Sequence, residues 1–115
     1  MNDKAQEQER IANQLRDAAA AAVEAMIQAR TAGSIADGIE DTGISDRAAR
    51  IYAGAMTDLE MAIDALADLG RRFSGAPRET EADDARRIEA EATRTQRDAA
   101  AIRKEAEAAA EAATI

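Results

Sequence analysis

Apolar residues recur along most of this chain at alternating steps of four and three, with charged residues between them. From Asp3 to Ala32 the series is Ile11, Leu15, Ala18, Ala22, Ala25 and Ala29, one stripe of an amphipathic helix. Val23, Met26 and Ile27 widen that stripe, and Gly33 reads as the helix stop. Gly33, Gly38 and Gly43 then punctuate a connecting stretch. Ser34 can cap a short helix there, and Asp41-Thr42-Gly43 reads as a turn. A second long helix is predicted from Ser45, as N-cap, to about Leu69 or Phe73. Its strongest stripe is Tyr52, Met56, Leu59, Ile63, Leu66 and Phe73, with Gly70 at the remaining position and Ile51, Ala55, Ala62 and Leu69 beside it. This is the most hydrophobic face in the chain and is expected to form the centre of the core.

Ser74 to Pro77 breaks the pattern, and Pro77 suits the first turn of a third helix. From there Ala85, Ile88, Ala92, Thr95, Ala99, Ile102, Ala106, Ala109 and Ala113 hold a coiled-coil register without a slip. Such small side chains allow a partner helix to approach near the short end of the usual ~8–10 Å spacing. Asp83 and Asp84 are placed to pair with Arg87, and Glu91 with Arg94. The expectation is an all-α fold: residues 1–75 an antiparallel hairpin with a short connecting helix, and residues 76–115 an alanine-rich coiled-coil helix. That third helix folds back, pairs with another chain, or stands alone as a solvated helix.

Composition sharpens this picture. Of 115 residues 46% count as hydrophobic, yet most of these are alanine, and the aromatic share is only 2%. Alanine favours helix but buries little area. A short chain with so thin a core commonly gains stability by oligomerising. A homodimer or higher oligomer is therefore expected, with Tyr52, Met56, Leu59, Ile63, Leu66, Ile88 and Ile102 as its candidate interface.

The net charge of −8 repels phosphate backbones and anionic lipid. Cysteine and histidine are both absent, which removes thiol chemistry, Cys-ligated zinc and the commonest general base. Ser34, Ser45 and Ser74 have no evident activating base, and Asp37 to Asp41 lacks the order of a calcium loop. No catalytic residue, metal site, cofactor or small-molecule substrate is expected. A polar start and the lack of a long apolar run leave the cytoplasm as the default compartment, with no membrane partner.

One stretch carries a motif. Residues 33–54 combine a short helical segment, the turn residues Gly43 and Ile44, and Ser45 ahead of Asp46-Arg47-Ala48-Ala49-Arg50. This resembles the bacterial helix-turn-helix DNA-binding motif, in which such a cap precedes the recognition helix. The resemblance implies that Ser45 starts that helix and that Arg47 and Arg50 contact phosphate or guanine. The layout is similar to that of small phage terminase subunits and small phage or plasmid regulators. The same residues also read as an ordinary capped connection between helices. Two functions follow: a non-enzymatic, acidic, self-associating helical protein that binds a macromolecular partner, as adaptor, assembly factor or inhibitor; or a DNA-binding regulator or packaging factor.

Overall fold

The structure is a computed structural model that describes residues 3–71 and 79–114. Arg72, Phe73, the break at Ser74 to Pro77 and the placing of Pro77 lie outside the described residues. The described chain forms three helices, α1 (Asp3–Gly38), α2 (Thr42–Arg71) and α3 (Glu79–Ala113). They lie side by side in a rod of 65 × 18 × 15 Å. The order is up, down, up. At one end the Gln8 side-chain amide donates to the Leu69 carbonyl at 3.0 Å, and towards the other Arg47 of α2 meets Glu105 of α3 at 2.7 Å.

The heptad spacing on α1 and α3 positions the core. Ile11, Leu15, Ala18, Ala22, Ala25, Ala29, Ala32 and Ala36 of α1 are all buried, as are Ala85, Ile88, Ala92, Ala99, Ile102 and Ala106 of α3. Three packed clusters run along the rod. The large aliphatic residues sit towards its ends, around Ile11, Leu15, Ile88 and Leu69 at one and Ile44 and Ile102 at the other. Between them Ala25, Ala29, Ala55 and Ala99 meet with no large residue fully buried. The third helix thus folds back and shares its core with both others.

The junction between α1 and α2 differs from the expectation. Gly33 does not stop α1, which continues to Gly38, and the stretch read as a short connecting helix is the last turn of α1. Gly33 lies mid-helix on the side facing α2, where a Cβ would make an ordinary 3.6 Å contact with the Ala48 Cβ. The helix ends instead in a Schellman motif, with the Asp41 amide donating to the Ala36 carbonyl (2.9 Å) and the Glu40 amide to the Asp37 carbonyl (3.2 Å). Glu40 takes the left-handed conformation that this motif demands, at φ 58°. The cap of α2 is Asp41 and not Ser45: the Asp41 carboxylate accepts the Ile44 amide at 3.0 Å. Ser45 lies a turn inside the helix.

The register of α2 is the second correction. Its inward face carries Ile44, Ala48, Ala55, Asp58, Ala62 and Leu69. The more hydrophobic stripe through Tyr52, Met56, Leu59, Ile63 and Leu66 is rotated outward. Met56 and Ile63 are 41% and 52% exposed, while Tyr52, Leu59 and Leu66 are half-buried and pack against the edge of the core clusters. Val23 and Ile27 of α1, expected to widen that helix's buried stripe, are themselves exposed by 42% and 52%. The reason is distance. Alanine seams draw the helices close, and a face of large side chains cannot enter so narrow a gap.

Candidate functional site

Three groups of residues define what this surface can do. The first is the stretch that resembles a helix-turn-helix. Ser45 donates its hydroxyl to Asp37 at 2.7 Å, which ties the first turns of α2 to the end of α1. Arg47 makes a two-pronged pair with Glu105 of α3, at 2.8 and 2.7 Å. That contact raises the Arg47 pKa and lowers that of Glu105, hydrogen bonding being the larger cause in each. A nucleic-acid phosphate would have to compete with Glu105 for this guanidinium. Arg50 is exposed beyond them.

The second group is apolar. An outer groove between α1 and α2 is lined near the α1–α2 turn by Arg30, Gly33, Ala49 and Tyr52, and near the other end by Ala12, Arg16, Leu66 and Gly70. Heptad steps between those markers bring Val23 and Met26 of α1, and Met56, Leu59 and Ile63 of α2, onto the same outer side. Ile27 lies at its margin. The side of α2 facing α3 is marked independently by Arg47 and Asp58, which bond Glu105 and Thr95. Five residues of the expected interface stripe, Tyr52, Met56, Leu59, Ile63 and Leu66, therefore stay together on one accessible face. The other two do not: Ile88 and Ile102 are 3% and 1% exposed and belong to the core within the chain. Sequence reasoning took α1's share of this face, Val23 and Ile27, for core. Their offset from the strict alanine heptad was the signal that separates them.

The third group is a polar layer that sequence reasoning missed. Asp58 occupies a heptad position inside the α2 seam and is only 6% exposed. The Thr95 hydroxyl of α3 lies 2.9 Å from its carboxylate and also 2.9 Å from the Glu91 carbonyl, so one proton serves two acceptors. Burial raises the Asp58 pKa; the Thr95 hydrogen bond opposes this, and the Glu91 charge adds to it. A protonated Asp58 could donate to the Thr95 oxygen and free the Thr95 proton for the Glu91 carbonyl. The folded state thus holds this proton more tightly than an unfolded chain, whose carboxyl titrates near the ordinary value of 3.8. Between that value and the raised one the native state binds the extra proton, so stability falls as pH rises through the window and stays lower above it. Asp58→Asn, which keeps the acceptor and removes the charge, is expected to gain about 1 kcal/mol at neutral pH and little in acid. Urea titrations of both proteins across pH check this; a variant weaker than the parent at neutral pH would contradict it.

Among the described residues no cluster of acids is arranged to hold a metal ion, and no helix is long and apolar enough to cross a membrane. No family model, curated protein or solved structure matches the chain.

Proposed function

We propose that this protein is a non-enzymatic helical interaction module, an adaptor, assembly factor or inhibitor, that binds a macromolecular partner through the outer face of α1 and α2. One observation carries the reading. Val23, Ile27, Met56 and Ile63 are the large hydrophobic residues left exposed among the described residues, and they gather on one side of a chain that is one-third charged. Scattered exposed apolar residues need no explanation, but a contiguous patch marks an interaction surface. The face is broad and shallow, which suits a protein surface or a helix better than a small molecule.

Ile63→Glu tests this. The side chain is already half in water, so the fold should survive with its helical signal nearly unchanged. Binding should be lost, because the charge would have to be desolvated at the centre of the contact. The readout is capture of partners by tagged protein from a lysate of the source cell, with and without nuclease. Partners retained after nuclease by the parent and lost by Ile63→Glu support the proposal. Capture of DNA that depends on Arg47 and Arg50, and is indifferent to Ile63, would replace it with the helix-turn-helix reading.

A further inference from the structure

The side of α3 turned away from the core carries a charge pattern unlike the rest of the chain. Opposite the buried heptad run Arg87, Ala90, Arg94, Arg97, Ala101 and Lys104, all exposed and spaced as one helical ridge. From Arg86 to Lys104 there are six bases and three acids, in a chain whose net charge is −8. None of the three acids stands on the ridge. Glu105 bonds Arg47 of α2, and Asp98 and Glu91 precede it by one and two heptads, so both lie on the flank towards α2. Glu89 lies on the other flank, beside Gln14 of α1.

On the α1 side of this ridge is a shallow depression of about 430 Å³, with Ala90 and Thr93 as its floor and Arg86, Arg94 and Arg97 around it. Gln14 and Glu89 complete the lining. Small side chains at positions 90 and 93 make the space, and the arginines stand one turn before Ala90 and one and two turns after it. Guanidinium, hydroxyl and amide groups all donate hydrogen bonds, so Glu89 is the one carboxylate in a lining rich in donors. Arg86 is held by Asp83 in an exposed pair one turn apart, a weak restraint. Among the described residues Arg94 and Arg97 have no ion-pair partner, whereas Arg47 is clamped by both oxygens of Glu105. Forked guanidinium groups gathered in this way suit an anion with several phosphate oxygens.

The carboxylates beyond the depression limit the size of that anion. Gln28 bonds both Arg103 of α3 and Glu24, which puts Glu24 on the α3 side of α1. Asp17, one heptad before it, follows the same edge. Asp98 and Glu105 border the ridge on the α2 side, and Asp83 stands at its start. A nucleic-acid duplex laid on the ridge would overhang both acidic flanks, and α3 has no aromatic residue on which the bases of a single strand could stack. A compact ligand stays within the basic patch.

We propose that the depression formed by Arg86, Arg94 and Arg97 binds a compact, multiply phosphorylated small molecule, its oxygens held by the guanidinium forks over the floor of Ala90 and Thr93. The site lies on α3, away from the α1–α2 face, and stands independently of the function proposed above.

Inorganic tripolyphosphate is the probe, titrated calorimetrically into the full chain at about 0.15 M salt, where exposed charges more than ~8 Å apart are largely screened. One tripolyphosphate per chain is expected to bind. Arg94→Gln and Arg97→Gln, both at exposed positions, should each weaken binding about tenfold or more with the helical signal intact. Arg50→Gln removes the same charge from an exposed position of α2 and should leave binding unchanged. Glu89→Gln should tighten it, while Glu60→Gln, an equal change of charge at an exposed position of α2, should not. A parent that takes up no tripolyphosphate in a saturable way would overturn the site. An equal loss in Arg50→Gln would also overturn it, since the attraction would then come from overall charge. A short DNA duplex bound more tightly than tripolyphosphate, and lost in the same Arg94 and Arg97 variants, would overturn the compact ligand in favour of nucleic acid.

Discussion

Ile102→Ala is expected to lose stability towards the upper part of the ~2–5 kcal/mol range for such truncations, a large share of the total for a small domain. Ile102 is 1% exposed, and its cluster is mostly alanine: Ala32, Ala36, Ala48 and Ala106 with Ile44, and Ile35, Ile51 and Ala109 packed partly buried against it. In an ordinary core, neighbouring leucines or methionines swing into the space that a truncation leaves. Alanine has no rotamer to change, and the β-branched Ile35, Ile44 and Ile51 have few, so closing the cavity falls mainly to movement of whole helices. Such movement is resisted by the Arg47–Glu105 pair and by the bond from Arg103 to Gln28, both close in sequence to this cluster. Urea unfolding followed by circular dichroism measures the loss. A change below about 1 kcal/mol would mean that the alanine seam collapses freely around the gap.

The same alanine seams explain which parts of the structure could be read in the sequence. Along α1 and α3 the core stripe is legible residue by residue, from Ile11 to Ala29 and from Ala85 to Ala106. On α3 the heptad is nearly pure; on α1 the buried alanines are equally regular, but Val23, Met26 and Ile27 lie off them, and Val23 and Ile27 were taken for core as well. Along α2 two stripes compete. The larger side chains, Tyr52, Met56, Leu59, Ile63 and Leu66, outscore Ala48, Ala55 and Ala62 on hydrophobicity, yet the alanine stripe is the buried one. Hydrophobicity ranks the free energy of burial; it does not report the width of the gap, which the alanines of the facing helices set. Asp58 was hidden for a related reason, because a carboxylate at a core position reads as a solvated face until Thr95 is seen opposite it. At the α1–α2 turn, Gly33 and Ser45 carried strong local signals for a stop and a cap. The pairing of α1 with α2 overrode the first, and the Schellman motif moved the cap to Asp41. Of the candidate interface, the outward stripe was legible as a group, although it was taken for core as well. The chain to which Ile88 and Ile102 pack was not legible, since a heptad register is the same whether its partner helix is internal or external.

Ala99→Leu brings the two measures into conflict and is expected to be decided by space. On transfer free energy alone, exchanging a buried alanine for leucine adds apolar surface and should stabilise by about 2 kcal/mol. In the structure Ala99 is 0% exposed and packs with Ala25, Ala29 and Ala55, themselves at 0%, 1% and 0%. The four buried positions have no side chain to withdraw, and Met26, Ile51 and Tyr52 pack against the cluster only from its partly buried margin. Three extra carbons must force α3 away from α1 and α2 or adopt an eclipsed rotamer, at a cost of roughly 1–3 kcal/mol beyond the transfer gain. The net expectation is destabilisation, with a loosened middle of the rod and faster amide exchange in α3 around residue 99. Ala101→Leu provides the control, because Ala101 is exposed on the same helix and the substitution there should be near neutral. If Ala99→Leu instead raised the denaturation midpoint, the helices would have room to separate. The close alanine packing that holds Met56 and Ile63 outside the core would then no longer account for their exposure.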